Sequence, residues 1–354
     1  MIIDCALYRD GRRQQEGVLT LDQAAALHRD GSDGFAWLGT FEPVPEELED
    51  IRKSFGLHEL AVEDVKSFHL RPKVEQYGQD VELVILRTAR YDDDREEVDF
   101  GEISVFIAPT FVITVRQGVA SELHSARTTL EGHPELLAEG SPAVLWAILD
   151  QVIKSYGPVV AELERDIEEV ESTVFAGEAA PTERIYFLRR EVTNFHRAVH
   201  PLLTVLTTIE RTNREGPLAP YFHDVHDYLR LISDEVAAQR DLLATILEAN
   251  MAVIGRADAS RGASGPDRRA PDHTRHDLPA PDLRDRLLRA ELPVARSADG
   301  WPWPVPRPRD RRAGRAARRP VAAPPQRPLP DGALTGHLNP NRVNKIWVVT
   351  LRQP

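Results

Sequence analysis

Apolar residues recur at steps of three and four positions through most of the stretch between Ser141 and Ile254. The spacing holds over three successive runs, from Leu145 to Val174, from Ile185 to Ile209 and from Phe222 to Ile246. Such steps place one narrow apolar stripe along each helix and leave the other faces charged. Because the connections between the runs are short, consecutive helices are expected to be antiparallel. The pattern predicts long stalk-like helices over 141–254.

The first 140 residues follow another pattern, in which strand-like and helix-like segments alternate. Strands are predicted where β-branched and large apolar residues cluster, at 34–39, 81–86, 102–107 and 111–115. The last two flank Ala-Pro-Thr at 108–110, which predicts a hairpin. A helix is predicted over 45–55, with Gly56 at its end. These segments predict a mixed α/β domain over 1–140, so the expected fold class is α+β.

The composition changes at Ile254. The last 100 residues contain 16 of the 27 prolines, with 20 basic against 10 acidic side chains. Residues 1–254 carry 24 basic and 46 acidic side chains, a formal charge of −22, so the whole-chain value of −12 averages two unlike parts. Hydrophobic periodicity also ends here, and 255–354 is predicted to be a disordered, Arg- and Pro-rich tail. The predicted domains are 1–140, 141–254 and 255–354.

The motifs that would indicate an enzyme are missing from the sequence. It has no Gly-rich phosphate-binding loop, no Gly-x-Ser-x-Gly elbow and no Cys/His nucleophile pair. The single Cys5 excludes a disulfide framework and a Cys-rich zinc site. No run of 18 apolar residues occurs, so the chain as written has no predicted transmembrane helix. We therefore do not expect an enzyme.

Two segments contain candidate metal ligands. Glu63 and Asp64 are adjacent on a predicted helix, and the segment 221–227 holds His223, Asp224, His226 and Asp227. Paired carboxylates suit a hard, hydrated cation such as Mg²⁺. Zinc at His223 and His226 is a weaker alternative, because Asp224 and Asp227 lie one helical turn apart and suit a hydrated Mg²⁺ better.

The stretch from Val62 to Tyr77 combines a helix with adjacent carboxylates, a turn fixed by Pro72 and a following strand. This stretch resembles the corresponding part of the CorA family of magnesium and cobalt transport proteins. Further matching motifs follow in the same order, at 101–107 with 111–115, 145–160, 183–191, 221–227 and 247–251. Because several motifs are collinear, the resemblance is specific, and it covers residues 1–254.

The resemblance implies a homopentameric divalent-cation channel. Its α/β domain would form a cytoplasmic funnel, joined by a long helix to two transmembrane helices in the cell membrane. Regulatory Mg²⁺ is implied between neighbouring subunits, with Co²⁺ as a second candidate. Mapped onto this sequence, the principal ligands are Asp64 of one subunit and Asp224 of the next, and Glu63 and Asp150 are secondary ligands.

The family pattern stops at Ile254. The resemblance implies two further apolar helices and a Gly-Met-Asn pore motif, and this sequence contains neither. The chain as written is therefore expected not to conduct, to lie in the cytoplasm, and to contact a membrane only if pore helices exist. A switch to Arg, Pro and Ala is typical of GC-rich DNA read in a shifted frame, so a frameshift is the favoured hypothesis for 255–354.

Two alternatives stay open at this point. The chain could be a soluble, metal-sensing oligomer that never conducts, or its Arg-rich tail could tether it to nucleic acid or to an anionic membrane. The tail arginines are mixed with Asp and Pro and have few aromatic neighbours. A nucleic-acid partner is therefore not expected.

Overall fold

The computed structural model describes residues 1–14, 19–29, 34–78, 80–119 and 123–262. The strands in these ranges are β1 Ile2–Arg9, β2 Arg12–Arg13, β3 Phe35–Phe41, β4 Lys73–Tyr77, β5 Val81–Asp92, β6 Glu97–Ala108 and β7 Phe111–Gly118. The helices are α1 Leu21–Arg29, α2 Pro45–Phe55, α3 Glu59–Lys66, α4 His124–Glu131, α5 Pro134–Leu137, α6 Ser141–Phe175, α7 Thr182–Val199, α8 Leu202–Thr212 and α9 Ala219–Gly262. The predicted class, a mixed α/β part followed by long helices, is confirmed.

The strands form one mixed sheet in the order β2-β1-β3-β7-β6-β5-β4. Neighbouring strands are antiparallel except β3 and β7, which pair in parallel from Ala36 opposite Phe111 to Phe41 opposite Arg116. The predicted hairpin is confirmed, since β6 and β7 pair antiparallel from Ala108 opposite Phe111. The parallel pair joins the N-terminal strands to the β4–β7 meander.

The sheet has an apolar core on each face because its strands alternate side chains with a period of two. On β6, Ile103, Val105 and Ile107 belong to the core that also contains the buried residues of α6. Phe106 and Ala108 belong to the opposite core, which is closed by α1, α2 and α3. Both faces are covered, so β5, β6 and β7 each contain a run of consecutive buried residues.

The predicted helix start at Ser141 is confirmed, and α6 continues through Gly157-Pro158 to Phe175. The second apolar run differs from the prediction, because it is divided into α7 and α8 around His200-Pro201. His200 keeps helical dihedral angles, but Pro201 has no backbone N–H with which to continue the hydrogen bonds of α7. The apolar spacing nevertheless continues across the break, with Val199 and Leu202 both buried.

Three side-chain contacts fix the directions of the long helices. Gly157 lies against the Tyr228 hydroxyl, the Gln239 amide donates to the Val160 carbonyl, and Asn250 reaches the loop that follows α6. Residue numbers rise together in these contacts, so α6 and α9 run parallel. The connected helix α7 runs antiparallel to both. At about 1.5 Å per residue, the 44 residues of α9 span roughly 66 Å.

Helix α9 extends to Gly262, eight positions beyond the predicted boundary at Ile254. Among the described helices, none combines the length and the hydropathy that a bilayer span requires. The predicted disordered tail falls mostly outside the described residues, from 263 onward. The boundaries 1–140, 141–254 and 255–354 stay predictions.

Candidate metal centre

Asp64 lies in the last turn of α3, on a helix that is oriented by its apolar face. Ala61, Val62 and Val65 are buried, and this stripe directs Glu63 and Asp64 away from the core. His58 caps the start of the helix, where its Nδ1 accepts a hydrogen bond from the Leu60 N–H at 3.2 Å. After a turn that contains Pro72, the chain returns as β4 beside the helix.

The Asp64 carboxylate contacts two residues of β4. The Lys73 ammonium donates to Asp64 Oδ2 at 2.7 Å, and the Tyr77 hydroxyl is 2.8 Å from the same oxygen. Lys73 also lies 3.1 Å from Glu75 Oε1, and the Tyr77 hydroxyl lies 2.7 Å from Glu75 Oε2. Lys73, Glu75 and Tyr77 alternate along β4 and so share one face of this edge strand. These four residues are called the acid–lysine cluster below.

The acid–lysine cluster is charged at neutral pH. Partial burial raises the pKa of Asp64, but hydrogen bonds from Lys73 and Tyr77 and the lysine charge outweigh it, and the net pKa is lowered. For Lys73, partial burial lowers the pKa, and the hydrogen bonds to Asp64 and Glu75 reverse this, so the net pKa is raised. Two carboxylates thus share a single ammonium, and the cluster has a net negative charge.

The two predicted secondary ligands have different surroundings. Glu63 is exposed on α3, next to Asp64. Asp150 lies on α6 and accepts from Lys154 at 2.8 Å, one turn further along the same helix. Glu63 is therefore open to solvent, whereas Asp150 already has a cationic partner.

Asp224 is exposed on the first part of α9 and takes part in no ion pair among the described residues. The neighbouring histidines do have partners, and both are near Glu210 of α8. His226 is buried, with Nδ1 2.7 Å from Glu210 Oε2, and the exposed His223 has Nδ1 3.5 Å from Glu210 Oε1. His223 Nε2 lies 3.4 Å from Asp227 Oδ2. The weaker zinc hypothesis thus concerns histidines that already have carboxylate partners, and it stays a prediction.

Within one chain, the structure does not bring the predicted ligands together. No hydrogen bond or ion pair joins Asp64 to Asp224, and no group of three His, Cys, Asp or Glu side chains in the described ranges could hold a metal ion. The assignment of Asp64 and Asp224 to different subunits does not require them to meet in one chain. This assignment stays a prediction.

The surroundings of the Asp64 carboxylate suit a hydrated Mg²⁺. Both of its hydrogen bonds end on Oδ2, and no donor in the described part of the chain contacts Oδ1. Mg²⁺ in proteins usually keeps several waters and binds one or two carboxylate oxygens. An ionised carboxylate with one open oxygen, on a partly exposed edge, satisfies this requirement.

Sequence reasoning missed Lys73, Glu75, Tyr77 and Glu210. The alternation Lys-x-Glu-x-Tyr at 73–77 was the available signal for three of them, since it places one cation and one acid on the same strand face. Glu210 gave no comparable signal, because its contacts depend on how α8 packs against α9.

Known proteins of one family resemble this chain. A family model described as CorA-like Mg2+ transporter protein matches residues 32–257. The cobalt/magnesium transport protein CorA of Thermotoga maritima is 23% identical over 212 residues, which is 58% of this chain and 60% of that protein. The putative metal ion transporter YfjQ of Bacillus subtilis is 24% identical over 214 residues, 59% of this chain and 66% of that protein. The chain therefore spans less than two thirds of either relative.

Solved structures show the same fold. The full-length CmaX protein superposes with a TM-score of 0.58 at 19% identity, covering 74% of this chain and 80% of that one. The soluble domain of CorA from Methanocaldococcus jannaschii gives 0.53 at 19% identity, covering 71% of this chain and 98% of that domain. The family match covers more than half of the chain, and the chain therefore belongs to the family of CorA-like Mg²⁺ transporter proteins.

Proposed function

We propose that this chain is the metal-sensing part of a CorA-type transport protein for Mg²⁺ and Co²⁺. The observation that carries this proposal is the ionised, half-buried Asp64 with one open oxygen, placed where α3 meets an edge strand. In the proposed assembly, a homopentamer, Asp64 of one subunit faces Asp224 of the next. Regulatory Mg²⁺ lies between them, and the transported cation is the substrate of the whole protein.

Electrostatics supplies the regulation. Carboxylates from two subunits repel one another when bare, and a bound cation turns this repulsion into a bridge. The formal charge of −22 on residues 1–254, repeated in each copy, strengthens the demand for counter-cations. Loss of Mg²⁺ then lets neighbouring subunits separate, and this population shift is the signal passed along α9.

The two secondary ligands act differently in this proposal. Glu63 is exposed, and it contacts the water molecules bound to the ion without breaking an existing ion pair. Asp150 contributes only after its contact with Lys154 at 2.8 Å opens. We therefore expect Glu63→Gln to weaken the Mg²⁺ response more than Asp150→Asn.

The test is limited proteolysis of the full chain with chymotrypsin, with and without Mg²⁺. The wild type is expected to be cleaved more slowly when Mg²⁺ is added, because bridged subunits open less often. The double variant Asp64→Ala/Asp224→Ala is expected to lose this protection. Asp234→Ala is the matched control, since Asp234 is another exposed aspartate of α9. Undiminished protection in the double variant would refute the ligand assignment.

The nucleotide sequence tests whether the gene encodes the pore that transport requires. The nucleotide sequence from codon 240 onward is expected to encode Gly-Met-Asn and two apolar helices in a neighbouring frame. Their absence from every frame would favour the alternative, a metal-sensing oligomer that does not transport.

A further inference from the structure

The acid–lysine cluster contains a cation of its own. The Lys73 ammonium is 2.7 Å from Asp64 Oδ2 and 3.1 Å from Glu75 Oε1, so it contacts both carboxylates at once. Side-chain exposure is 30% for Asp64 and 25% for Lys73, which places their contact in a partly desolvated position. A divalent cation that approaches Asp64 meets a carboxylate that is already paired.

We propose that Lys73 is a tethered competitor for the divalent cation at Asp64, and that Glu75 accepts its ammonium when the cation binds. This inference rests on the proposed function of Asp64 as a regulatory ligand. It adds a residue that sets the Mg²⁺ concentration at which the site fills.

Competition follows from charge and position. An ammonium on Oδ2 repels a second cation at the same carboxylate, and partial burial reduces the screening of this repulsion by solvent. Asp64 also lies in the last turn of α3, where the helix dipole is negative and an unpaired carboxylate is unfavourable. The carboxylate is therefore held by Lys73 until a stronger cation replaces it.

Glu75 makes the exchange local. It lies two positions from Lys73 on the same face of β4, and its Oε1 is within hydrogen-bonding distance of the ammonium before any movement. A small rotation of the lysine side chain keeps the charge paired while Asp64 is released. Without Glu75, displacement of Lys73 would leave the ammonium with no carboxylate in the cluster.

Tyr77 can contact Asp64 both when Lys73 is paired with Asp64 and when Lys73 has moved to Glu75. Its hydroxyl lies 2.8 Å from Asp64 Oδ2 and 2.7 Å from Glu75 Oε2, but it has one proton and donates to one carboxylate at a time. When Lys73 occupies Glu75, the hydroxyl can still donate to Asp64. The phenol thereby holds the Asp64 carboxylate in place through the exchange.

The experiment follows the thermal unfolding of the full chain by tryptophan fluorescence at increasing Mg²⁺, in 0.15 M salt. Mg²⁺ bound at this site accounts for that part of the Mg²⁺-dependent rise in Tm that is lost in Asp64→Asn. Lys73→Met is expected to lower the Mg²⁺ midpoint of that part by roughly two- to fivefold, the upper part of the range for a partly exposed ion pair. Lys73→Arg keeps the competing charge and is expected not to lower it.

Glu75→Gln is expected to change the midpoint in the opposite direction, because Lys73 then has no second carboxylate to pair with when it leaves Asp64. In the Lys73→Met background this effect should shrink, which separates exchange from a general loss of negative charge. Lys66→Met is the matched control, since Lys66 is an exposed cation of α3 without a contact to Asp64.

The outcomes separate the two proposals. If Asp64→Asn abolishes the Mg²⁺ response but Lys73→Met lowers only the Mg²⁺-free Tm, Lys73 is structural and the inference is wrong. An equal shift in Lys66→Met and Lys73→Met would also refute it. If Asp64→Asn leaves the Mg²⁺ response intact, the proposed function of Asp64 fails as well. A response that emerges only in Lys73→Met would support the inference.

Discussion

Asn250 of α9 is fully buried and holds the loop between α6 and α7. Its Nδ2 donates to the Ala180 carbonyl at 3.1 Å and to Thr182 Oγ1 at 3.3 Å. Its Oδ1 accepts from the Ala180 N–H at 3.0 Å. Ala180 is itself 4% exposed, so neither of its backbone groups has ready access to water.

Replacement of Asn250 by alanine removes all three hydrogen bonds. Each buried backbone group left without a partner costs about 1–3 kcal/mol. Two such groups lower the free energy of unfolding by about 2–5 kcal/mol, allowing for some entry of water into the vacated space. For a folded region of this size, about 2–4 °C is lost per kcal/mol, so Tm is expected to fall by roughly 4–20 °C.

The assay is thermal unfolding followed by circular dichroism at 222 nm, a wavelength set by helix content. Asn213→Ala is the matched control, because the Asn213 amide donates only to the Ile209 carbonyl of the preceding helix, α8. That variant is expected to lose about 1 kcal/mol or less. If Asn250→Ala were no less stable than Asn213→Ala, the loop would not depend on this amide.

Two further predictions concern the helices. Gly157→Ala would place a Cβ 2.8 Å from the Tyr228 hydroxyl. A double-mutant cycle with Tyr228→Phe, measured by chemical denaturation, is therefore expected to give a coupling free energy of about 1 kcal/mol. Additive effects of the two substitutions would contradict this close approach. Partial burial and the negative charges of Glu235 and Glu168 raise the pKa of Glu164. The folded state therefore binds this proton more tightly than the unfolded state does. As a result, the free energy of unfolding falls as pH rises through the raised pKa. Glu164→Gln is therefore expected to raise Tm by about 1–2 °C at pH 7 and by nothing at pH 3, and an equal gain at both pH values would refute the like-charge explanation.

The long helices could be predicted from the sequence because their signal is local. Leu149, Val152 and Tyr156 lie at steps of three and four, and all are buried along α6. The division at Pro201 was also visible as a residue type, but the apolar spacing across it favoured one continuous helix. Periodicity reports which face is buried, and it does not report whether the backbone is interrupted.

The strand order could not be predicted in the same way. Apolar composition indicated the strands at 102–107 and 111–115 and the hairpin between them, but the pairing of β3 with β7 joins residues about 75 positions apart, and no local pattern specifies it. The acid–lysine cluster depends on a similar return of the chain. Asp64 was identified as a carboxylate next to Glu63, whereas its contact with Lys73 exists only because β4 folds back beside α3.

The parallel pairing of β3 with β7 also affects synthesis of the chain. Strand β3 is complete at Phe41, but its partner begins at Phe111. At 5–20 residues per second, a ribosome needs about 4–14 s to translate the intervening segment. Throughout that interval one edge of β3 carries unpaired backbone groups that can pair wrongly with another nascent chain. We therefore expect slow translation before residue 111 to favour aggregation, and a chaperone that shields β3 to suppress it.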